Sequence, residues 1–310
     1  MTHGRKRPRR HWLLPLLALA GLAVSGLPGP LPWQGFAAFQ PSSPAPGHPP
    51  RTWVNYFQEQ SIEMEFRQFP GNVFKIAIPE VVSDAEGVIV PWEQDSPSWE
   101  FSREMARWST TIPDVVHMEA EVEFKGSELE MRVKLRNLSK RTWRSTNAFI
   151  CLTYADAPLF NDPQLERTFV PTADWRSPAG WVPLAKLFAA YDHGRGNYTF
   201  FPVRGGPRLK DLWVFQRVNE AAHRQVLSRG FGGVVSKDGK WTVGMTTATA
   251  AYFFNNRSPR VEHQDGVCIH ADPLLGDVSP GGYAEGVSTI HIVEGGIEAF
   301  INRCVELYGN

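Results

Sequence analysis

The sequence predicts an all-β protein, a large antiparallel β-sandwich closed by a short C-terminal helix. Short apolar runs separated by turn residues fill most of the chain, two pairs of these runs form clear hairpins, and only the last segment has a strong helical pattern. A single β domain can hold a chain of 310 residues. Because we find no internal repeat and no second linker, residues 52–310 are predicted to form one domain.

The first predicted hairpin spans residues 117–135. In its first arm, glutamates alternate with apolar residues, and the second arm alternates in the same way after the turn Lys125-Gly126-Ser127. Alternation with a period of two places one face in water and the other against a core. The acidic row is therefore interpreted as a solvated face.

The remaining elements follow in order along the chain. Residues 99–108 are predicted as a weak helix, and residues 232–247 as a second hairpin around the turn Ser236-Lys237-Asp238-Gly239-Lys240. Apolar stretches predict further strands at 147–154, 197–203, 268–272 and 286–293. At the C-terminal end, apolar residues recur at helical spacing: Ile297, Phe300, Ile301, Cys304 and Leu307.

The N-terminal segment resembles an export signal. Residues 1–27 combine a cationic start with an apolar run from Trp12 to Leu27, which is short for a comfortable membrane span. Arg9-Arg10 followed by Trp12 is similar to a twin-arginine signal. We expect an extracytoplasmic protein, periplasmic or secreted, with an uncleaved membrane anchor as the alternative. Residues 28–51 are rich in Pro, Gly and Ser and are predicted to be a linker.

The charge of the chain limits the classes of partner that it can bind, and its cysteine count limits the disulfides that it can form. The chain has 32 basic and 32 acidic residues, and no acidic residue lies in the cationic leader. Without a basic patch, we expect no nucleic-acid partner, and membrane contact only through the N-terminal segment. The three cysteines leave at least one thiol unpaired within the chain. Cys151 and Cys268 either form a disulfide or remain buried free thiols.

The best candidate for a catalytic site is the pair His270 and Asp272. Residues two apart in a strand share one face, so the imidazole and the carboxylate lie side by side. The carboxylate can orient the imidazole, and imidazole can act as an acid or base near neutral pH. Two alternatives remain open: Asp272-Pro273 ends the strand with a turn, and His270 is a hydrogen-bonded core residue.

Residues 268–293 resemble the C-terminal strands of the galactose mutarotase (aldose 1-epimerase) superfamily of β-sandwiches. Cys268-Ile269-His270 lies where that family has Cys-aliphatic-Glu, and Pro280-Gly281-Gly282-Tyr283 lies where it has a Pro-Gly-Glu turn before a Thr-rich last strand. The resemblance implies a mutarotase-like supersandwich and a carbohydrate or polysaccharide partner. In the family the glutamate is the general base, so His270 in its place supports the fold more than epimerase activity.

Three further residues are candidate sugar ligands. His193 and Arg195 belong to a polar, glycine-containing loop, and Trp181 lies in a loop-like segment. Binding groups collect on loops of a rigid scaffold. Flat aromatic rings suit the apolar faces of sugars, whereas imidazole and guanidinium groups bind hydroxyls. The structural alternative is that tryptophans fill the core of a large sandwich.

Other chemistries have less support in the sequence. His263-x-Asp265 and His270-x-Asp272 each match two ligands of a non-haem iron facial triad, but a suitable third histidine is missing. Zinc-ligand spacings such as Cys-x-x-Cys are absent, as is a Gly-x-Ser-x-Gly nucleophile turn. We therefore expect no metal and no cofactor. The sequence predicts a carbohydrate-recognising protein with His270 and Asp272 as acid/base candidates, and a non-catalytic binding or structural module of the cell envelope as the alternative.

Overall fold

The computed structural model describes residues 51–56, 61–66, 68–91, 99–190, 199–213, 223–255 and 267–309. All of them fall within one compact unit, Gln40–Asn310. The predicted signal segment lies outside the described residues, as do His193, Arg195, His263 and Asp265.

Within the described residues, the strands form two antiparallel sheets. Sheet A contains β1 (Arg51–Tyr56), β2 (Ser61–Phe66), β3 (Val73–Ser83), β4 (Val88–Val90), β9 (Trp143–Thr153), β12 (Thr199–Phe201), β15 (Ala250–Asn255) and β16 (Cys268–Val278). Sheet B contains β5 (Glu100–Phe101), β6 (Met105–Ile112), β7 (Val116–Lys125), β8 (Glu128–Asn137), β10 (Thr168–Pro171), β11 (Trp181–Pro183), β13 (Gly232–Val235), β14 (Trp241–Thr247) and β17 (Tyr283–Glu294).

The strand order shows how distant segments meet. Sheet A runs β1-β2-β3-β9-β16-β15-β12 with β4 beside β3, and sheet B runs β11-β10-β13-β14-β17-β8-β7-β6-β5. Strands β3, β9 and β16 are therefore adjacent, although long stretches of chain separate them. Because β16 and β17 are consecutive in sequence but belong to different sheets, residues 279–282 carry the chain across the sandwich.

The main core lies between the two sheets. Alternate residues of sheet A, such as Ile150, Leu152 and Ile269, pack against the apolar row of sheet B that includes Val122 and Met131. These side chains are almost completely buried. Burial of apolar surface stabilises folding by roughly 25 cal/mol per Å², so this layer holds the sheets together.

Two α-helices accompany the sheets in the described chain, α1 (Leu184–Ala190) and α2 (Ile297–Tyr308), together with short 3₁₀ helices at Pro178–Gly180 and Leu209–Asp211. Phe300, Ile301 and Cys304 of α2 are buried in an apolar cluster with Trp181 on the outer face of sheet B. The predicted C-terminal helix is confirmed, but Leu307 of its apolar stripe is 40% exposed.

Most predicted elements match the structure. The all-β sandwich, the hairpins β7–β8 and β13–β14 and the predicted strands are all present. The predicted helix at 99–108 is wrong, because Met105–Ile112 pairs with β7 along its whole length. Its buried residues Ala106 and Trp108 alternate with exposed ones, and Trp108 Nε1 donates to the Ile78 carbonyl of sheet A at 2.9 Å.

Strand β16 also excludes one interpretation of Asp272 and Pro273. The strand continues to Val278, so these residues lie within it and do not end it. Among the described residues, no helix is long and apolar enough to cross a membrane.

Candidate functional site

The predicted site lies on the face of sheet A that points away from sheet B. Ile269 and Ala271 of β16 point into the core between the sheets, so Cys268, His270 and Asp272 occupy the opposite face. A second apolar cluster surrounds them there: Ala77, Phe149, Cys151, Phe200, Leu209, Leu212, Ala251, Tyr252, Phe254 and Cys268.

The segment after β12 contributes to the closure of this face. Leu209 and Leu212 are buried in the cluster, and Trp213 packs against it. His270 is 1% exposed and Asp272 is 0% exposed. In this conformation neither side chain can contact a sugar in solution.

His270 and Asp272 lie together, as the two-residue spacing predicts. His270 Nδ1 is 3.5 Å from Asp272 Oδ1, and the same carboxylate oxygen accepts the Ile150 N–H at 2.7 Å. The imidazole ring packs against Phe149 and Phe254, with ring centroids 4.3 and 4.5 Å away. This packing and the Ile150 hydrogen bond fix both side chains.

Two cysteines complete a cluster that the sequence did not predict. Cys151 lies opposite His270 in the β9–β16 register, and Cys268 precedes His270 by two residues on the same face. Cys268 Sγ is 3.4 Å from His270 Nε2. All three cysteines of the chain are free and buried, which answers the open question of Cys151 and Cys268 in favour of thiols.

Burial controls the electrostatics of this cluster. It raises the pKa of the Glu80 carboxyl to about 7, an effect that the nearby His270 partly opposes. It also raises the pKa of Cys151 and of Asp272 above their usual values. Burial alone would lower the pKa of His270, but attraction to Cys151 and Asp272 outweighs it and raises that pKa.

Trp181 occupies a different part of the molecule. It lies on β11 at the edge of sheet B, is 5% exposed, and its Nε1 donates to the Trp175 carbonyl at 2.9 Å. Its ring packs edge-on against Phe300 of α2, with the ring centroids 5.7 Å apart. The structure therefore places Trp181 in the cluster under α2, away from His270, and its role as a sugar ligand stays a prediction.

An open cavity of about 600 Å³ lies where turns of both sheets meet. The β2–β3 turn, the segment after β9 and the β13–β14 turn supply its walls. Trp241 is partly exposed there and packs edge-on against Phe69, with ring centroids 5.6 Å apart. A neighbouring cavity of about 340 Å³ also contains Trp241 in its lining, together with Arg303. We call these two cavities together the Trp241 cleft.

Polar groups surround the partly exposed indole of Trp241. Gln68 lines both cavities, and its Oε1 is buried with no hydrogen-bond partner in the described chain. Asn72 fixes the walls, because it donates to the Phe69 carbonyl at 2.9 Å and accepts the Leu159 N–H at 2.7 Å. The exposed lysines of the β13–β14 turn line the larger cavity.

Sequence reasoning missed the Trp241 cleft and the cysteines around His270. The sequence pattern places Trp241 in a hairpin strand, and only its position directly after the turn indicates partial exposure. Cys268-x-His270 was visible in the sequence, but the position of Cys151 depends on the pairing of β9 with β16.

Comparisons with known proteins find distant structural likenesses. No protein-family model matches the chain, and a search of curated proteins finds no relative. The Slr1438 protein of Synechocystis sp. PCC 6803 aligns over 82% of this chain and 99% of its own, with 9% identity and a TM-score of 0.40. A candidate aldose 1-epimerase of Escherichia coli K12 aligns over 79% of this chain and 100% of its own, with 10% identity and a TM-score of 0.39.

A galactose mutarotase-like protein of Clostridium acetobutylicum aligns over 80% of this chain and 93% of its own, with 8% identity and a TM-score of 0.40. At these values, the likenesses concern the fold alone. The predicted resemblance is confirmed as a weak structural one to aldose 1-epimerase and galactose mutarotase-like proteins.

Proposed function

We propose that this protein is exported and recognises a carbohydrate, and that the Trp241 cleft binds it. The observation that carries the proposal is the partly exposed Trp241 ring between two open cavities lined by turns of both sheets. The larger cavity, about 600 Å³, falls in the range of about 300–1,000 Å³ that small-molecule sites occupy.

The lining of the cleft combines the two kinds of group that sugars need. An indole face covers the apolar C–H groups of a pyranose ring, and Trp241 offers such a face next to Phe69. The side-chain amide of Gln68, which lines both cavities, can donate a hydrogen bond to a sugar hydroxyl. Lys237 and Lys240 add donors at the entrance.

The cleft favours recognition over catalysis at His270. The acid/base role of His270 and Asp272 stays a prediction. Both groups are buried on the outer face of sheet A, out of contact with a sugar in solution. Neither of them lines the two cavities of the cleft.

We expect Trp241→Ala to weaken sugar binding at least about tenfold, or about 1.4 kcal/mol, because it removes the aromatic platform. Isothermal titration calorimetry of the full-length protein against hexose, N-acetylhexosamine and uronate oligosaccharides would first identify a ligand. Trp241→Phe should keep most of the affinity, since it retains an apolar ring.

Tyr283→Ala is the matched control, because Tyr283 is 74% exposed on β17 and lines neither cavity. It should bind as the unaltered protein does, and thermal unfolding would show that each variant is folded. Undiminished binding in Trp241→Ala, or no binding to any sugar of the panel, contradicts the proposal. If His270→Asn loses binding and Trp241→Ala keeps it, the site is the one predicted from the sequence.

Export through the twin-arginine route has its own test. In a bacterium with this pathway, the full-length chain should reach the extracytoplasmic fraction, whereas a chain carrying both Arg9→Lys and Arg10→Lys should remain in the cytoplasm. The double change Arg5→Lys and Arg7→Lys, which leaves the Arg9-Arg10 pair intact, should be exported normally. Equal export of both variants contradicts the twin-arginine route, and failure of the unaltered chain to leave the cytoplasm contradicts export.

A further inference from the structure

We propose that Cys151, Cys268 and His270 bind a zinc ion on the outer face of sheet A, with Asp272 orienting the imidazole. This site is separate from the Trp241 cleft and does not depend on the proposed function. It also departs from the sequence-based expectation of a protein without a metal.

The ligand atoms lie at a spacing that suits one small cation. The sulfur atoms of Cys151 and Cys268 and a ring nitrogen of His270 all lie within 4.8 Å of one another. Cys268 Sγ and His270 Nε2 are 3.4 Å apart. In a tetrahedral zinc site, with bonds of about 2.3 Å to sulfur and 2.0–2.1 Å to nitrogen, neighbouring sulfur and nitrogen ligands are roughly 3.5 Å apart.

The sheet holds the three ligands in place before any metal binds. Cys151 is on β9, while Cys268 and His270 are on β16, and Cys151 pairs directly with His270 in the register. All three residues are at most 4% exposed. Sites built on strands are more precisely placed than sites on loops, so little rearrangement is needed to bind an ion.

The imidazole has the orientation that a metal ligand requires. Its Nε2 faces the Cys268 sulfur, and its Nδ1 faces Asp272 Oδ1 at 3.5 Å. Nδ1 has no hydrogen-bond partner in the described chain, and the Ile150 N–H holds Asp272. A histidine that binds zinc commonly donates its other ring N–H to a carboxylate, which fixes the tautomer and the ring.

The donor set selects the class of metal. Two sulfurs and one imidazole nitrogen favour zinc over Mg²⁺ and Ca²⁺, which prefer oxygen ligands. A structural zinc site takes four ligands. The cluster supplies three, and the Glu80 carboxyl, which interacts with Cys151 and His270 but lies outside the 4.8 Å group, would have to move towards the ion to supply the fourth. The enclosed position of the cluster suits a structural ion rather than a catalytic one.

The test begins with the metal content of the full-length protein, produced with zinc supplementation and purified under reducing conditions. We expect about one zinc ion per chain by inductively coupled plasma mass spectrometry. Cys151→Ser and Cys268→Ser should each lose most of it, whereas Cys304→Ser should retain it. Cys304 is the matched control, because it is also a buried free thiol but belongs to α2, in the apolar cluster on the outer face of sheet B.

A spectroscopic measurement on the unaltered chain keeps the test valid if a variant fails to fold. Refolding with Co²⁺ in place of zinc should produce thiolate-to-cobalt charge-transfer absorption and the visible bands of tetrahedral cobalt. Asp272→Asn should still bind the metal but with about 10- to 100-fold lower affinity in a chelator competition, as expected for a residue that positions a ligand.

Three results would overturn the proposal. One is refolded unaltered protein that binds neither zinc nor cobalt. Another is metal binding that persists undiminished in both Cys151→Ser and Cys268→Ser. The third is a Cys151–Cys268 disulfide, found by mass spectrometry of the exported protein after blocking of free thiols. None of these results would count against the proposal that the Trp241 cleft binds a sugar.

Discussion

Phe300→Ala should lower the free energy of unfolding by about 3–5 kcal/mol, the usual loss when a fully buried phenylalanine is truncated. Phe300 is 0% exposed and lies at the centre of the contact between α2 and sheet B. Its ring packs edge-on against Trp181 and lies 5.9 Å from the His291 ring, centroid to centroid. Urea unfolding followed by circular dichroism would measure the loss.

A partner substitution shows whether ring packing is the cause. A Cβ atom added at Gly244 of β14 would lie 2.3 Å from the Phe300 ring, so Gly244→Ala alone should cost about 1–3 kcal/mol by overpacking. In the Phe300→Ala background the same methyl group has room, and the two effects should be clearly less than additive. Gly87→Ala is the control, since no atom lies within 4 Å of the added Cβ.

Simple additivity in this double-mutant cycle would contradict the close approach of Phe300 to β14. It would mean that the cost of Gly244→Ala arises elsewhere, because contacting residues normally show coupling energies of 0.5–3 kcal/mol. Full stability of Phe300→Ala would contradict the docking of α2 itself.

The helix α2 illustrates what local sequence pattern can predict. Residues at helical spacing within one short segment are enough to identify it, and alternation does the same for β7 and β8. The helix prediction for residues 99–108 is wrong because the period-two alternation that identifies a strand, seen in the buried Ala106 and Trp108, covers only a few positions there. Pairing with β7 decides the structure there, and that contact is not local.

At the candidate site, too, local spacing predicts some features, whereas others depend on the pairing of distant strands. The shared face of His270 and Asp272 follows from their spacing in one strand, so the sequence predicted it. The position of Cys151 requires that β9 and β16 be neighbours in a particular register, although more than a hundred residues separate them. Burial of the cluster depends in addition on Leu209 and Leu212 from a third segment.

The position of Glu80 is a further feature that the sequence pattern does not predict. The register between β3 and β9 shifts between Ala77 and Val81, and Glu80 lies within that stretch. Regular alternation cannot predict the direction of a side chain across such a shift, because each extra residue moves the following side chains to the other face. An acidic group beside Cys151 and His270 is therefore a feature that only the folded chain reveals.

Acidification should remove stability through Glu128, which joins β8 to β17 and α2. His291 Nδ1 and Arg303 Nε both lie 2.8 Å from Glu128 Oε1. The His291 hydrogen bond is the largest contribution that lowers the pKa of Glu128 from 4.5 to about 2, with Arg303 adding to it against the opposing effect of burial. The ionised carboxylate is thus more stable in the folded protein than in the unfolded chain.

The sign of the pH dependence follows from this depressed pKa. The stabilisation is present above the unfolded-state value of 4.5 and is lost progressively as the pH falls towards about 2. At 1.36 kcal/mol per pKa unit, the full contribution is about 3 kcal/mol, of which about 2 kcal/mol should disappear between pH 5 and pH 3. The Glu128 side chain is only 17% exposed, so solvent screening is modest.

Glu128→Gln tests this linkage, because the variant lacks the titrating group. The difference in unfolding free energy between the unaltered protein and the variant should shrink by about 2 kcal/mol from pH 5 to pH 3 in urea titrations. Glu166→Gln, at an exposed position, should follow the unaltered protein at both pH values. A difference that stays constant with pH would show that His291 and Arg303 do not hold the Glu128 carboxylate in its ionised form.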